Sequence, residues 1–228
     1  VTLPLLISVP HAGLTVPEEV QPYCVLTEEQ IVIDGDEGAG DIYDIVGHVE
    51  AHVTTNVARA IVDMNRPETD RGPDGVVKTH TCQNAPVYSE VLSATVIETL
   101  LSQYHRPYHA KLTELAQQAV LGVDCHTMAA VAPPIGPNPG SERPLIGVSN
   151  ADRTCPESWL RQFASFLQEA FEAEVAINRP FRGGHIIRAH AAEIPWVQLE
   201  LSRAPFFPNA EKRERVLEAM RRFCEVAL

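Results

Sequence analysis

Two histidines and a run of acids have the types and spacing to do chemistry. His11 follows the apolar run Leu3–Val9 through Pro10 and leads into Ala12-Gly13. His126 follows a second short apolar run, Val120–Cys125, and the pair Asn65-Arg66 follows a third, Val57–Met64. In open α/β sheets, ligands bind beyond the carboxyl ends of the strands. If all three runs are strands, their ends deliver polar groups to one place. Catalytic zinc takes three nitrogen or oxygen protein ligands and keeps a fourth position for water. His11 and His126 would supply two. The segment Asp34-Gly35-Asp36-Glu37-Gly38 is the densest source of a carboxylate third, and its glycines let the backbone approach closely. Either Asp36 or Glu37 can serve. The bland alternative is a solvated turn with capping or core histidines. That reading suits a lone histidine; clustering at strand ends favours a metal.

Glu200 lies in Trp196-Val197-Gln198-Leu199-Glu200-Leu201. Alternation places Gln198, Glu200 and Ser202 on one face and Val197, Leu199 and Leu201 on the other. A carboxylate in such a strand is either exposed at a sheet edge or held in a site, because burying a lone charge is costly. In a site it is placed to act as a general base. Arg59, Arg66, Arg182 and Arg188 lie near the expected strand ends or loops, and arginine pairs bidentately with carboxylates. Gly183-Gly184 marks a close backbone approach or a hairpin turn. His105 and His109, four apart on an expected helix, have no acid nearby and are assigned to packing. Ser8, Ser89 and Ser202 lack a nucleophile elbow, and Gly38-x-Gly40 lacks the strand and third glycine of a nucleotide loop.

The elements that must position these groups alternate between types. Strands are expected over 3–9, 57–64, 120–125, 145–148, 174–177, 185–188 and 196–201. Helices are expected over 27–33, 39–52, 89–118 with a break or restart at Pro107, 156–173, and from Asn209 to the C-terminus. Thr27 before Glu28-Glu29-Gln30 has the form of a capped helix start with an acidic first turn. Residues 68–86 and 133–143, rich in Pro and Gly, read as long loops able to cover a site. The alternation implies an α/β fold with a mostly parallel sheet and helices on both faces.

Composition narrows the function classes. The 228 residues are read as one domain, 1–228, with 45% hydrophobic residues, enough for a core. A formal net charge of −12 argues against nucleic-acid binding through a broad basic surface. A local arginine pocket for an acidic substrate is compatible with it. No apolar stretch approaches a membrane span. Val1 to Leu6 lack the basic region and cleavage site of a signal peptide, and the absence of an initiating Met suggests processing or an edited start. Five scattered cysteines without a CxxC pair exclude a thiolate zinc cluster and fit reduced thiols in a cytoplasm.

Six segments, in order, carry a resemblance. They are Ser8-Val9-Pro10-His11-Ala12-Gly13, Asp36-Glu37-Gly38-Ala39, Val62-Asp63-Met64-Asn65-Arg66, Asp124-Cys125-His126-Thr127-Met128, Phe181-Arg182-Gly183-Gly184-His185-Ile186-Ile187-Arg188, and Gln198-Leu199-Glu200-Leu201. Together they resemble the N-formylglutamate amidohydrolase family over nearly the whole chain. The resemblance implies a three-layer αβα fold with a mostly parallel mixed central sheet, like that of zinc carboxypeptidases. It implies one zinc ion per chain, held by His11, His126 and an acid for which Asp36 is the better match, with Glu200 as general base. Asn65 and Arg66 look like the carboxypeptidase pair that grips a substrate carboxylate, and Arg59 and Arg188 match arginines around the same pocket. The activity implied is hydrolysis of a small acidic N-acyl amino acid, best N-formyl-L-glutamate, to formate and L-glutamate. The rival readings are a zinc hydrolase for another N-acyl amino acid or a small peptide, and a non-catalytic binder of acidic amino acids.

Overall fold

Apolar residues every second position build the centre of the molecule. The structure is a computed structural model describing residues 2–227; Val1, in the segment read as lacking signal-peptide features, and Leu228, at the end of the expected last helix, lie outside the described residues. The strands are β1 (Leu3–Val9), β2 (Val49–Thr54), β3 (Leu121–Met128), β4 (Ile146–Ser149), β5 (Val175–Ile177) and β6 (Trp196–Ser202). The helices are α1 (Glu28–Asp34), α2 (Ala39–Ile42), α3 (Ala94–Leu100), α4 (Arg106–Ala116), α5 (Glu157–Phe171), α6 (His185–Ala189) and α7 (Asn209–Ala227). One six-stranded sheet has the order β2-β1-β3-β6-β4-β5. All neighbours run parallel except β4 against β6.

The sheet separates two cores. On one face, Leu3, Leu5, Ile7 and Val9 of β1, Val123 and Cys125 of β3, and Val197, Leu199 and Leu201 of β6 pack against α2, α5 and α7. On the other, Leu6 and Trp196 pack with Ile31 of α1, Tyr108 and Leu112 of α4, and Ile186 and Ile187 of α6. This is the expected three-layer αβα arrangement with a mostly parallel mixed sheet. The second face is polar toward the carboxyl ends of its central strands, where Ser8, Asp124, His126, Gln198 and Glu200 are all buried. No described helix is long and apolar enough to cross a membrane.

Three assignments by pattern are corrected. Residues 57–64 are not a strand. Val57, Ala58, Ile61, Val62 and Met64 are buried, but the backbone turns on itself, with Ile61 and Val62 N–H both donating to the Ala58 carbonyl. The apolar content there reports burial, not ladder pairing. The edge strand β2 instead comes from Val49-x-Ala51-x-Val53, inside the stretch read as a helix over 39–52; only α2 and a 3₁₀ turn at Val46–His48 are helical there. Residues 185–188 form helix α6 rather than a strand; two adjacent apolar residues, Ile186 and Ile187, cannot distinguish the two by periodicity. Other details match. Thr27 and Gln30 form a reciprocal capping box on α1, and Pro107 sits in the first turn of α4, after a π-helical turn at Leu101–His105.

Candidate functional site

Strand register assembles the site. Parallel pairing of β3 with β6 sets His126 beside Glu200 and Asp124 beside Gln198. The pairing of β1 with β3 sets Ser8 beside Asp124. His126 therefore lies within β3 and not beyond its end, because β6 extends the ladder to Met128 and Ser202. His11 stands two residues beyond the end of β1 at Val9, and its carbonyl accepts the Asp36 N–H at 3.2 Å, which draws the end of α1 over the same strand ends.

His11, Asp36 and His126 converge. His126 Nδ1 is 3.2 Å from His11 Nδ1 and 2.9 Å from Asp36 Oδ2, and His11 Nδ1 is 3.4 Å from the same oxygen. They are only 4%, 6% and 4% exposed. Glu37, the alternative acid, is exposed, whereas Asp36 is buried beside both histidines. Ligand atoms about 2.0–2.1 Å from a tetrahedral zinc stand about 3.3 Å from one another. The three donor atoms already have nearly that spacing. Two imidazole nitrogens facing each other across 3.2 Å need a proton or a cation between their lone pairs. The donor set fits a metal.

Each histidine is held by a carboxylate on its other nitrogen. His11 Nε2 lies 2.8 Å from Asp63 Oδ1, and His126 Nε2 lies 2.8 Å from Asp124 Oδ2. Metal-binding histidines usually carry such partners, which set tautomer and ring orientation. Both acids are fully buried and held in turn. Asp124 accepts the Ser8 hydroxyl, and Asp63 accepts Arg59 Nε–H at 3.1 Å. Burial opposes ionisation of Asp36 and Asp63, yet both carboxyls are held well below the usual range, Asp36 by its contacts with His11 and His126 and Asp63 by His11, Arg59 and Arg66. Burial likewise opposes charging of His126, but Asp124 and Asp36 raise its pKa well above the ordinary value.

Glu200 is 7% exposed, so the exposed edge-strand alternative does not apply. Burial pushes its carboxyl up to about 7, opposed by His126 and the Gln198 amide, with Asp36 and Asp124 adding to the rise. Gln198 Nε2 donates to Glu200 Oε1 at 2.7 Å, while Gln198 Oε1 accepts the Gly184 N–H. A carboxyl near 7 in a cavity has the affinity a general base needs at neutral pH. The cavity is about 260 Å³ and is lined by His11, Asp36, His126 and Glu200. That is below the roughly 300–1,000 Å³ of sites for drug-sized ligands, so it suits a small molecule.

The arginines divide. Arg59, Arg66 and Arg182 line the cavity. Arg59 is tied to Asp63 and the Asp34 carbonyl. Arg66 is tied to Asp74, whose other oxygen meets buried Lys78, itself paired with Asp34. This chain of charges pins the 68–86 loop. Arg182 is mostly exposed and paired with Asp152. Arg188 is exposed and lies outside the cavity lining, within 3.4 Å of the Gly183 and Arg182 carbonyls. Asn65 is a buried wedge. Its Nδ2 lies 3.2 Å from both Asp124 Oδ2 and His126 Nε2, and its Oδ1 accepts the Ile186 N–H. A Cβ on Gly184 would fall 2.2 Å from the Asn65 amide, so the glycine pair serves close approach rather than a hairpin. His105 and His109 hold the carbonyls of Arg66 and Met64 on either side of Asn65, the packing role expected of them.

Sequence reasoning assigned no role to Asp63, Asp124 or Arg143. The first two had a signal: Asp-x-Asn and Asp-x-His place an acid two residues before a site residue. Arg143 stands in a Pro- and Gly-rich loop with no pattern to mark it.

Comparison with known proteins follows the same lines. Residues 3–206 match the family model described as N-formylglutamate amidohydrolase. The chain is 28% identical to an N-formylglutamate deformylase of Pseudomonas putida, over 92% of this chain and 84% of that protein. In fold it is similar to the crystal structure of N-formylglutamate amidohydrolase from Ralstonia eutropha JMP134, with a TM-score of 0.81 at 20% identity, covering 98% of this chain and 93% of that one. It is also similar to a gene product of Agrobacterium tumefaciens, with a TM-score of 0.75 at 17% identity, covering 98% and 90%.

Proposed function

Because the chain belongs to the N-formylglutamate amidohydrolase family, we propose that it is a metal-dependent amidohydrolase that converts N-formyl-L-glutamate to formate and L-glutamate. One observation carries this reading: a buried His-Asp-His donor set and a carboxyl near pKa 7 line the same small cavity.

His11 Nδ1, His126 Nδ1 and Asp36 Oδ2 would hold the metal, with zinc the best match to two nitrogens and one oxygen. When bound, zinc supplies a Lewis acid that polarises the formyl carbonyl and makes water acidic enough to lose a proton near neutral pH. Asp63 and Asp124 keep both imidazoles in one tautomer. Glu200 takes the proton of the attacking water and passes it to the amide nitrogen, so the C–N bond breaks to a neutral amine. Gln198 holds Glu200 in position for both transfers. The pocket arginines offset the negative charge of the substrate in a protein whose net charge would otherwise repel it.

The test pairs elemental analysis with turnover on wild type and His126→Ala. The expected outcome is about one zinc per wild-type chain, formate release from N-formyl-L-glutamate, and loss of both in the variant. Wild-type protein that stays metal-free after zinc is supplied, or that binds acidic amino acids without turnover, overturns the proposal.

A further inference from the structure

Five arginines line the cavity, and four have partners. Arg59, Arg66 and Arg182 face carboxylates, and Arg203 donates to the carbonyls of Ile33 and Gly35. Arg143 differs. Its Nε is buried without a hydrogen-bond partner. Its guanidinium lies over the Phe181 ring, 4.9 Å from the centroid, so one loop over the site rests on another. A Cβ built on Gly136 would stand 3.7 Å from Nη2, leaving that side of the group open but close to backbone. Burial lowers its pKa; Glu200 opposes this, and Arg203 and Arg59 add to it. A partly dry cation beside two others lacks a negative partner, and buried charges are ordinarily paired. The planar fork, steadied on an aromatic face, matches a carboxylate.

We propose that Arg143 receives a carboxylate of the substrate and makes the site select anionic N-acyl amino acids over neutral amides. The sequence-based receptors Asn65 and Arg66 are engaged within the protein, Asn65 with Asp124 and Ile186 and Arg66 with Asp74. Arg143 presents a free face to the cavity instead. This deepens the hydrolase reading and rests on it.

The experiment compares zinc-reconstituted wild type, Arg143→Ala and Arg143→Lys. Calorimetric titration with L-glutamate reads binding; steady-state kinetics on N-formyl-L-glutamate and on its neutral dimethyl ester read selectivity. The expected result is binding of L-glutamate weakened about tenfold to a hundredfold in Arg143→Ala. KM should rise by a similar factor with a smaller change in kcat, and the preference for the charged substrate should collapse. Lysine, which keeps the charge without the fork, should restore part of the binding, and it supplies the comparison if the alanine variant fails to fold. Arg143→Ala binding L-glutamate as wild type does, or losing both substrates by the same factor, overturns the proposal. So does a wild-type protein that does not bind L-glutamate. Arg143-dependent glutamate binding without hydrolysis of N-formyl-L-glutamate would instead sink the hydrolase reading and leave the receptor standing.

Discussion

Replacing Glu200 with glutamine keeps the shape of the side chain and its contact with Gln198 while removing the proton acceptor. Rate and stability should then move in opposite directions. On the rate side, loss of a general base costs about 10²–10⁴-fold in kcat, with metal content unchanged. On the stability side, the folded carboxyl lies at about 7 against an ordinary 4.5. At about 1.4 kcal/mol per pH unit, holding this group ionised in the fold costs about 3 kcal/mol. The folded pKa is raised, so the stability it contributes is complete below 4.5 and is lost as pH rises through 7. Glutamine does not titrate. In chelator-treated protein, Glu200→Gln should therefore gain on wild type as pH rises, by about 2–3 kcal/mol between about pH 5 and pH 8.5. Urea unfolding at the two pH values measures the gap. A gap that stays flat, or narrows with rising pH, would refute the argument that Glu200 is a buried carboxyl with a raised pKa. Full kcat in the variant would remove its role as base.

Two further predictions concern the scaffold. Asp124→Asn leaves a neutral partner on His126 Nε2 and should weaken zinc binding by about 10–100-fold, measured by competition with a chromophoric chelator; unchanged affinity would mean that the carboxylate does not support the ligand. Gly122→Ala would put a Cβ 2.2 Å from the fully buried Trp196 ring, and should destabilise the fold by about 1–3 kcal/mol or more in denaturant titration.

Much of the site was legible from residue type and local pattern. His11 and the acid run stand at punctuation after periodic segments, and alternation along β6 puts Glu200 on the face opposite Leu199. The misread elements are those whose apolar content has no single period. The run 57–64 is buried without pairing along its length, and Ile186-Ile187 is equally compatible with strand and helix. Apolar character reports burial, whereas strand formation needs a partner elsewhere in the chain.

Donor types, the order of the motifs and the layered fold can be read without coordinates, because these depend on side-chain chemistry and on repeats of two or nearly four residues. Tertiary structure decided which donors meet and which charges remain free. Asp36 is preferred over Glu37 because its oxygen lies between two histidines brought from β1 and β3. Arg182 is matched by Asp152, thirty positions away, while Arg143 stands out by the partner it lacks. An arginine reads the same in a sequence whether or not it is paired; the difference lies in burial and in neighbours distant along the chain, which only the folded arrangement supplies.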